Sequence, residues 1–125
     1  MLIDTDVLVW YMRGNERAKR VIKNSDGFSI SVVTYMELVQ GLRNKEELNV
    51  FRNSFKKRNA GIIYINEEIS IKAMFLVEQY FLSHSLQLAD ALVGATSLIF
   101  GLPLLTANIK HYTAIKNIIL KKFNP

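Results

Sequence analysis

Short apolar runs alternate with longer amphipathic segments along this chain, and this alternation constrains the fold more than any other feature of the sequence. The apolar runs have the length of strands, and the amphipathic segments carry apolar residues at helical spacing. The pattern predicts strands at 1–3, 27–31, 61–65, 104–106 and 118–120, and helices at 6–12, 15–24, 34–42, 46–57, after Asn66 and at 88–100. Strands and helices in alternation are typical of an α/β sandwich with a mainly parallel sheet.

The length and composition fit one compact domain over residues 1–125, since half of the residues are hydrophobic and can form a core without a disulfide. The absence of cysteine excludes a thiolate zinc site and is compatible with the reducing cytosol, so a cytoplasmic location is expected. No signal peptide is expected, because the N-terminus lacks a basic region followed by a long apolar run. The least polar stretch, 89–107, contains Asp90, Gly101 and Pro103, which favours a buried helix and strand over a membrane span.

Basic residues exceed acidic ones, and the formal net charge is +5. They cluster at Arg52, Lys56, Lys57 and Arg58 and again at Lys116, Lys121 and Lys122. An excess of this sign suits a polyanionic partner, and the first cluster is a candidate for contacting its backbone. A solvated helix face explains the same pattern, so both interpretations stay open.

Three acidic residues follow predicted strands. Asp4 and Asp6 come directly after the first strand, and Glu37 lies early in the helix after the second. Sites in parallel α/β sheets form beyond the carboxyl ends of the strands, which is where these side chains are expected. Helix capping is the competing interpretation, because Asp6 suits a cap and Thr34 with Glu37 has the spacing of a capping box.

Asp90 is the most informative acidic residue, because it lies in the nearly all-apolar predicted helix Leu88–Phe100. A carboxylate among apolar neighbours is unfavourable unless hydrogen bonds or a cation compensate its charge. One interpretation is a carboxylate at a helix start that accepts the helix's own amides. The other is a buried metal ligand at the same edge as Asp4 and Glu37.

Carboxylates that converge at one sheet edge repel each other and need a cation to offset their charge. Mg²⁺ suits such a site, because it prefers oxygen ligands and keeps waters for a substrate phosphate. A metal bound in this way can polarise a phosphoryl oxygen and lower the pKa of an attacking water. The acidic residues therefore point to phosphodiester hydrolysis.

Polar residues also follow the fourth predicted strand. Thr106 and Asn108 would add neutral oxygens at the same edge, although Asn108 also suits an ordinary turn. His111 is a lone histidine, for which a structural hydrogen bond is the more common role, and His84 is predicted to lie in a loop.

Four segments resemble the motifs of the PIN domain, and in particular those of the toxin nucleases of VapBC toxin–antitoxin pairs. They read LIDTDVLVW at 2–10, SVVTYMEL at 31–38, LADALVGAT at 88–96 and LTANIKHY at 105–112. The resemblance runs nearly end to end, and the motifs stand in the order of the family.

The resemblance implies a three-layer α/β/α sandwich with four to five strands and the activity of a metal-dependent endoribonuclease. It implies that Asp4, Glu37 and Asp90 hold Mg²⁺ or Mn²⁺, with Asn108 as a further catalytic residue and Asp6 and Thr106 in support. It also implies RNA as substrate, a homodimer, and a small antitoxin that blocks the site and binds operator DNA as a complex. Many family members have an acidic residue in place of Asn108, so the number of metal ions, one or two, stays open.

Two other functions fit parts of the sequence. A phosphatase of the haloacid dehalogenase type has a motif similar to Asp4-Thr5-Asp6, but that motif wants Thr or Val where this chain has Leu8. A catalytically degenerate PIN-like module would bind RNA without cleaving it. The presence of all three acidic residues argues against this function: Asp4, Glu37 and Asp90. Product analysis identifies the phosphatase, and an RNA cleavage assay with and without Mg²⁺ identifies the degenerate module.

Overall fold

Five parallel strands form one sheet in the part of the chain that the computed structural model describes, residues 1–25, 27–83 and 85–125. They are β1 (Leu2–Ile3), β2 (Ser29–Ser31), β3 (Gly61–Ile63), β4 (Leu104–Thr106) and β5 (Leu120–Lys122), in the spatial order β3-β2-β1-β4-β5. Leu2 of the central strand β1 pairs with Ser29 of β2 and with Leu104 of β4. Because every pairing is parallel, the carboxyl ends of all five strands lie at one edge, the carboxyl edge.

Helices cover both faces of this sheet. They are α1 (Thr5–Met12), α2 (Glu16–Asn24), α3 (Val32–Gln40), α4 (Lys45–Lys57), α5 (Glu67–Tyr80), α6 (Leu88–Phe100) and α7 (Ile109–Tyr112). Successive strand residues point to opposite faces, so Leu2 packs in a core cluster with α5 and α6, whereas Ile3 packs in a second cluster with α1 to α4. The predicted three-layer α/β/α sandwich is confirmed, with a sheet that is parallel throughout.

The helices α5 and α6 follow the sequence pattern closely. Asn66 caps α5 as predicted, with its side-chain oxygen accepting a 2.8 Å hydrogen bond from the amide of Ile69. The apolar helix α6 is central, as its composition predicted, and ends where Gly101 adopts the left-handed conformation at a φ of +63°. Among the described residues, no helix combines the length and apolar character that crossing a bilayer requires.

The first four helices begin one or two residues away from their predicted starts, and at α1 and α3 the cap is a different side chain from the expected one. Helix α1 begins at Thr5 rather than residue 6, since Asp4 is the N-cap and its side chain accepts from the Thr5 amide. Helix α3 begins at Val32 rather than at Thr34, since the Ser31 hydroxyl caps it. Asp6 and Thr34 therefore lie inside their helices.

Two C-terminal features also differ from the prediction. The fifth strand lies two residues later than the predicted 118–120, because pairing with β4 places Lys122 opposite Thr106. Ile118 packs instead against the core cluster that contains Leu2. The four-residue helix α7 was not predicted, since it is too short to show a periodic pattern.

Candidate active site

Asp4 is the best-buried acidic residue of the carboxyl edge, with 7% of its surface exposed. It directly follows β1, and its Oδ1 accepts a 2.9 Å hydrogen bond from the amide of Thr5. Its Oδ2 accepts from the hydroxyl of Thr106 at 2.8 Å and from the phenol of Tyr112 at 3.0 Å. All three donors are neutral, so they orient the carboxylate without balancing its charge.

Asp90 lies in the first turn of α6, with 16% of its side chain exposed. Its Oδ2 accepts from the amide of Gln87 at 3.1 Å and lies 3.4 Å from Nδ1 of His111. Its Oδ1 lies 3.4 Å from the hydroxyl of Tyr112. Asp90 thus makes the predicted helix-start contact through one oxygen, while the other oxygen faces Tyr112 and, through it, Asp4.

Glu37 reaches the same group of residues from α3. The hydroxyl of Thr5 donates a 2.8 Å hydrogen bond to Glu37 Oε1 and lies 3.0 Å from the hydroxyl of Thr34. The predicted capping box between Thr34 and Glu37 is wrong, because Ser31 is the cap and Thr34 is fully buried. Glu37 itself is exposed, so it lies at the solvent side of the edge.

Asp6 and Thr106 hold the turn between β4 and α7. Asp6 Oδ1 accepts from the amide of Val7 at 2.8 Å, and its Oδ2 accepts from the amide of Ala107 at 2.9 Å. The Thr106 hydroxyl accepts from the amide of Asn108 at 3.0 Å. The side chain of Asn108 is exposed and does not cap α7. These contacts fix the backbone of Ala107 and Asn108, directly after the end of β4.

Burial changes the protonation of this group. Burial, and after it the negative charge of Asp6, raise the pKa of Asp4 from 3.8 to about 6, against the three hydrogen bonds, which lower it. Burial also raises the pKa of Asp6. Burial, together with the charges of Asp4 and Asp90, raises the pKa of the Tyr112 phenol far above its ordinary value. The anionic form of Asp4 is therefore unfavourable unless a positive charge accompanies it.

The donor atoms of this edge fit a hard divalent cation, because they are carboxylate and hydroxyl oxygens. In residues 1–25, 27–83 and 85–125, no three His, Cys, Asp or Glu side chains lie close enough together to hold a metal ion. Mg²⁺ does not require three, since it often binds through one or two carboxylates and completes its shell with water. Asp4 and Asp90, which both contact one phenol oxygen, are the pair that fits.

The predicted basic contacts lie elsewhere. Arg58 follows the C-terminal end of α4, and its carbonyl accepts from the amide of Gly27, ahead of β2. Since Gly27 precedes β2, this bond places the C-terminal end of α4 at the amino ends of the strands, opposite the acidic residues. Lys56 and Lys57 lie in the last turn of α4, one turn after Arg52, so the basic cluster extends to that amino edge.

A second group of basic residues lies nearer the acidic edge. Lys122 pairs with Thr106 and, together with Arg17 and Arg20 of α2, lines a cleft of about 400 Å³. None of these three side chains forms a salt bridge within the described part of the chain.

Sequence reasoning missed the roles of Thr5 and Tyr112. Thr5 stands within the first acidic motif, but nothing local shows that its hydroxyl meets Glu37. Tyr112 comes directly after His111, and only the pairing of β1 with β4 brings its phenol to Asp4. The Nδ1 atom of His111 lies 3.4 Å from Asp90 Oδ2, so this histidine contacts a residue of the acidic edge. The loop prediction for His84 lies outside the described residues.

Comparison with known proteins places these features in a family context. The sequence model of the PIN domain family matches residues 1–116. The chain is similar to Ribonuclease VapC1 of Methanocaldococcus jannaschii, with 31% identity over 99% of this chain and 87% of the relative. It is also similar to Ribonuclease VapC10 of Mycobacterium tuberculosis, with 35% identity over 90% of this chain and 85% of the relative.

Solved structures share the fold over nearly the whole chain. A toxin–antitoxin complex from Klebsiella pneumoniae aligns with a TM-score of 0.76 at 27% identity and covers 98% of both chains. A DNA-bound VapBC complex from Salmonella typhimurium aligns with a TM-score of 0.82 at 17% identity, over 97% of this chain and 96% of the other. At the latter identity the likeness concerns the fold alone.

Proposed function

The chain belongs to the PIN domain family, and from this membership we propose that it is a metal-dependent endoribonuclease, the toxin of a VapBC-type toxin–antitoxin pair. The observation that carries the proposal is the meeting of Asp4 and Asp90 on one phenol oxygen at the carboxyl edge. Glu37 is joined to this edge by its hydrogen bond from Thr5, the residue that follows Asp4. The curated relatives bear the name ribonuclease, which supports RNA as the substrate. A cytoplasmic location agrees with such a substrate.

Mg²⁺ is the proposed cofactor, with Mn²⁺ as a substitute, and Asp4 and Asp90 are its proposed ligands. When bound there, the cation would stabilise the negative charge on the phosphoryl oxygen and lower the pKa of an attacking water. Asp4 is held by Thr5, Thr106 and Tyr112, so its carboxylate stays oriented when a substrate approaches.

Two exposed residues complete the proposed site. Glu37 offers an anionic oxygen on the solvent side, where it can orient a water toward the phosphate or accept its proton. Asn108 is neutral, so its amide can orient a water or the RNA but cannot balance the charge of the metal. This difference leads us to propose one strongly held metal ion rather than two.

Cleavage of an internally labelled RNA by the purified protein tests this function. We expect internal cuts that need Mg²⁺ or Mn²⁺ and stop when EDTA is added. RNA binding without any metal-dependent cut would support the degenerate module instead. Release of inorganic phosphate from a phosphomonoester, with intact RNA, would support the phosphatase.

We propose that RNA reaches the acidic edge past the cleft of Arg17, Arg20 and Lys122. Unpaired cations near the carboxyl edge suit a phosphate backbone, which neutralising contacts hold in a salt-dependent way. The sequence also offered Lys56 and Lys57 for contact with the RNA backbone. They lie at the opposite edge of the sheet, so the cleft is closer to the acidic residues.

The antitoxin has a proposed docking surface in a groove of about 1050 Å³ between α1, α2 and α4. Leu8, Met12 and Phe51 line it, and Val50 of α4 is 69% exposed beside them. Solved relatives are complexes of a toxin with an antitoxin, some of them with DNA. We propose that an apolar segment of a small antitoxin fills this groove, and that operator DNA is bound only through the complex. A short neighbouring reading frame for a DNA-binding protein would identify the antitoxin.

A homodimer is proposed through the outer face of α5. Ile71, Met74 and Phe75 stand at helical spacing on one face and are 44%, 53% and 55% exposed. Tyr64, which follows the edge strand β3, is 68% exposed. Large apolar side chains grouped in this way are typical of a protein interface.

A further inference from the structure

Tyr112 links two chain segments that the proposed site needs together. Its hydroxyl lies 3.0 Å from Asp4 Oδ2 and 3.4 Å from Asp90 Oδ1. The two carboxylate oxygens are therefore no farther apart than the sum of these distances. One phenol connects the end of β1 with the first turn of α6.

The position of the phenol is set by packing rather than by the carboxylates. Tyr112 is fully buried in the core cluster that contains Leu2. Its ring passes close to Gly94 of α6, where an added Cβ would lie 3.7 Å from Tyr112 Cδ1 and 2.9 Å from Ile115 Cδ1. A ring held in this way can impose an orientation on the carboxylates that contact its hydroxyl.

The hydrogen bonds on Asp4 divide its two oxygens. Oδ2 accepts from both Thr106 and Tyr112, which together use the acceptor capacity of that oxygen. Oδ1 accepts only the amide of Thr5 among the hydrogen bonds of the described residues, so it keeps a position for a cation. Without the phenol, Oδ2 would keep one side-chain donor, and the carboxylate could turn about its bond to Cβ.

We propose that Tyr112 is a positioning residue of the metal site, whose hydroxyl fixes Asp4 and Asp90 relative to each other before the cation binds. The proposal rests on the metal-dependent function proposed above. Partners that orient metal ligands in this way commonly change metal affinity by about 10- to 100-fold when they are removed. We expect Tyr112→Phe to weaken Mn²⁺ binding by an amount in that range.

The test is Mn²⁺ titration of the RNA-free protein by calorimetry, with melting in EDTA to confirm that each variant is folded. Tyr11→Phe is the matched control, since it removes a phenol hydroxyl that contacts Ser54 of α4 instead of the acidic residues. We expect the control to bind Mn²⁺ like the wild type. Cleavage by Tyr112→Phe should recover at high Mn²⁺, because the defect lies in affinity; a general loss of structure would not recover.

A second pair of variants keeps the test decisive if the phenylalanine variant folds poorly. Replacing Tyr112 by 4-aminophenylalanine keeps a donor at the same place, and replacing it by 4-fluorophenylalanine fills similar space without one. The amino variant should bind Mn²⁺ like the wild type, and the fluoro variant should bind about 10- to 100-fold more weakly.

Each outcome decides the matter. Equal Mn²⁺ affinity in the variants with and without the donor would overturn the positioning role. A wild type that binds Mn²⁺ but cuts no RNA would overturn the nuclease function, while the comparison of affinities would still judge Tyr112. A wild type that binds no Mn²⁺ would overturn both.

Discussion

The hydroxyl of Thr106 donates a 2.8 Å hydrogen bond to the carboxylate of Asp4, although the two residues stand near opposite ends of the sequence. The parallel pairing of β1 with β4 brings them together. The same pairing carries α7 and its Tyr112 to the site. The acidic edge therefore forms only when the centre of the sheet has formed.

Stability without metal should fall as the pH rises through the titration of Asp4. Its folded pKa of about 6 lies above the ordinary carboxyl pKa of 3.8, so the folded state holds the proton more tightly than the unfolded state. Stability is then greatest below the unfolded pKa and declines between about pH 4 and 6, by about 2–3 kcal/mol. Thermal melting of metal-free protein across this range measures the effect. Asp4→Asn should show a flatter profile, and an equally steep one would contradict the assignment to Asp4.

Protons and the cation should compete for Asp4. We expect Mn²⁺ affinity to drop as the pH falls below about 6, because the carboxyl then binds a proton in place of the metal. Calorimetric titrations at several pH values measure this change. An affinity that stays constant from pH 7 to pH 5 would show that Asp4 is not a ligand.

Asn108 should matter less than the carboxylates. Because its amide is neutral and exposed, Asn108→Ala should lower cleavage by about tenfold while leaving metal-dependent cuts. Asn108→Asp should be tolerated and should tighten Mg²⁺ binding, since it adds a negative charge near the metal. Single-turnover rates across a Mg²⁺ titration measure both. If Asn108→Ala were as inactive as a carboxylate variant, the role given to Asn108 would be wrong.

RNA binding should depend on the cleft of Arg17 and Lys122 rather than on Lys56 and Lys57. Replacing Arg17 and Lys122 with Ala should weaken RNA binding. It should also make the slope of the logarithm of the binding constant against the logarithm of the salt concentration shallower by about 2 at most, because each lost phosphate contact lowers this slope by about 0.7–0.9. The same change at Lys56 and Lys57 is the matched control and should have little effect. Binding at several salt concentrations separates them, and it is measured in the Asp90→Asn protein, in which we expect little cleavage. The reverse result would return RNA contact to α4.

Dimer formation should depend on the exposed face of α5. Changing Met74 and Phe75 to Lys places charges within the proposed apolar interface and should yield a monomer. Ile119→Lys is the control, because Ile119 is an exposed apolar residue that precedes β5. Light scattering after size-exclusion chromatography measures the mass. A monomeric wild type, or a dimeric α5 variant, would contradict the proposed interface.

The sequence was sufficient where local pattern and strand direction determine position. Asp4 follows a short apolar strand, so the strand-end rule predicted its position at the carboxyl edge. Asp90 follows no strand, and it was predicted as a ligand because a carboxylate among apolar neighbours needs compensation. Glu37 was ambiguous because a capping box has the same spacing as Thr34 and Glu37. Ser31, one helical turn earlier, turned out to be the cap.

Contacts between distant segments could not be read from spacing. The bond from Thr5 to Glu37 depends on how α1 lies beside α3, and the bond from Tyr112 to Asp4 depends on where α7 follows β4. The sequence likewise showed a basic cluster at Lys56 and Lys57, but it did not show at which edge of the sheet this cluster lies. These positions follow from packing, which a single sequence does not display.

The central claim is that Asp4 and Asp90 hold the metal for RNA cleavage, and the rate constant of single-turnover cleavage tests it most directly. Wild type, Asp90→Asn and the surface control Glu78→Gln are compared on one RNA across a Mg²⁺ titration, after melting confirms that each is folded. Asp90→Asn keeps the shape of the side chain but removes its charge, so we expect a loss of at least about 100-fold, or ~3 kcal/mol of transition-state stabilisation. Glu78→Gln should cleave at the wild-type rate. Full activity in Asp90→Asn would contradict the account.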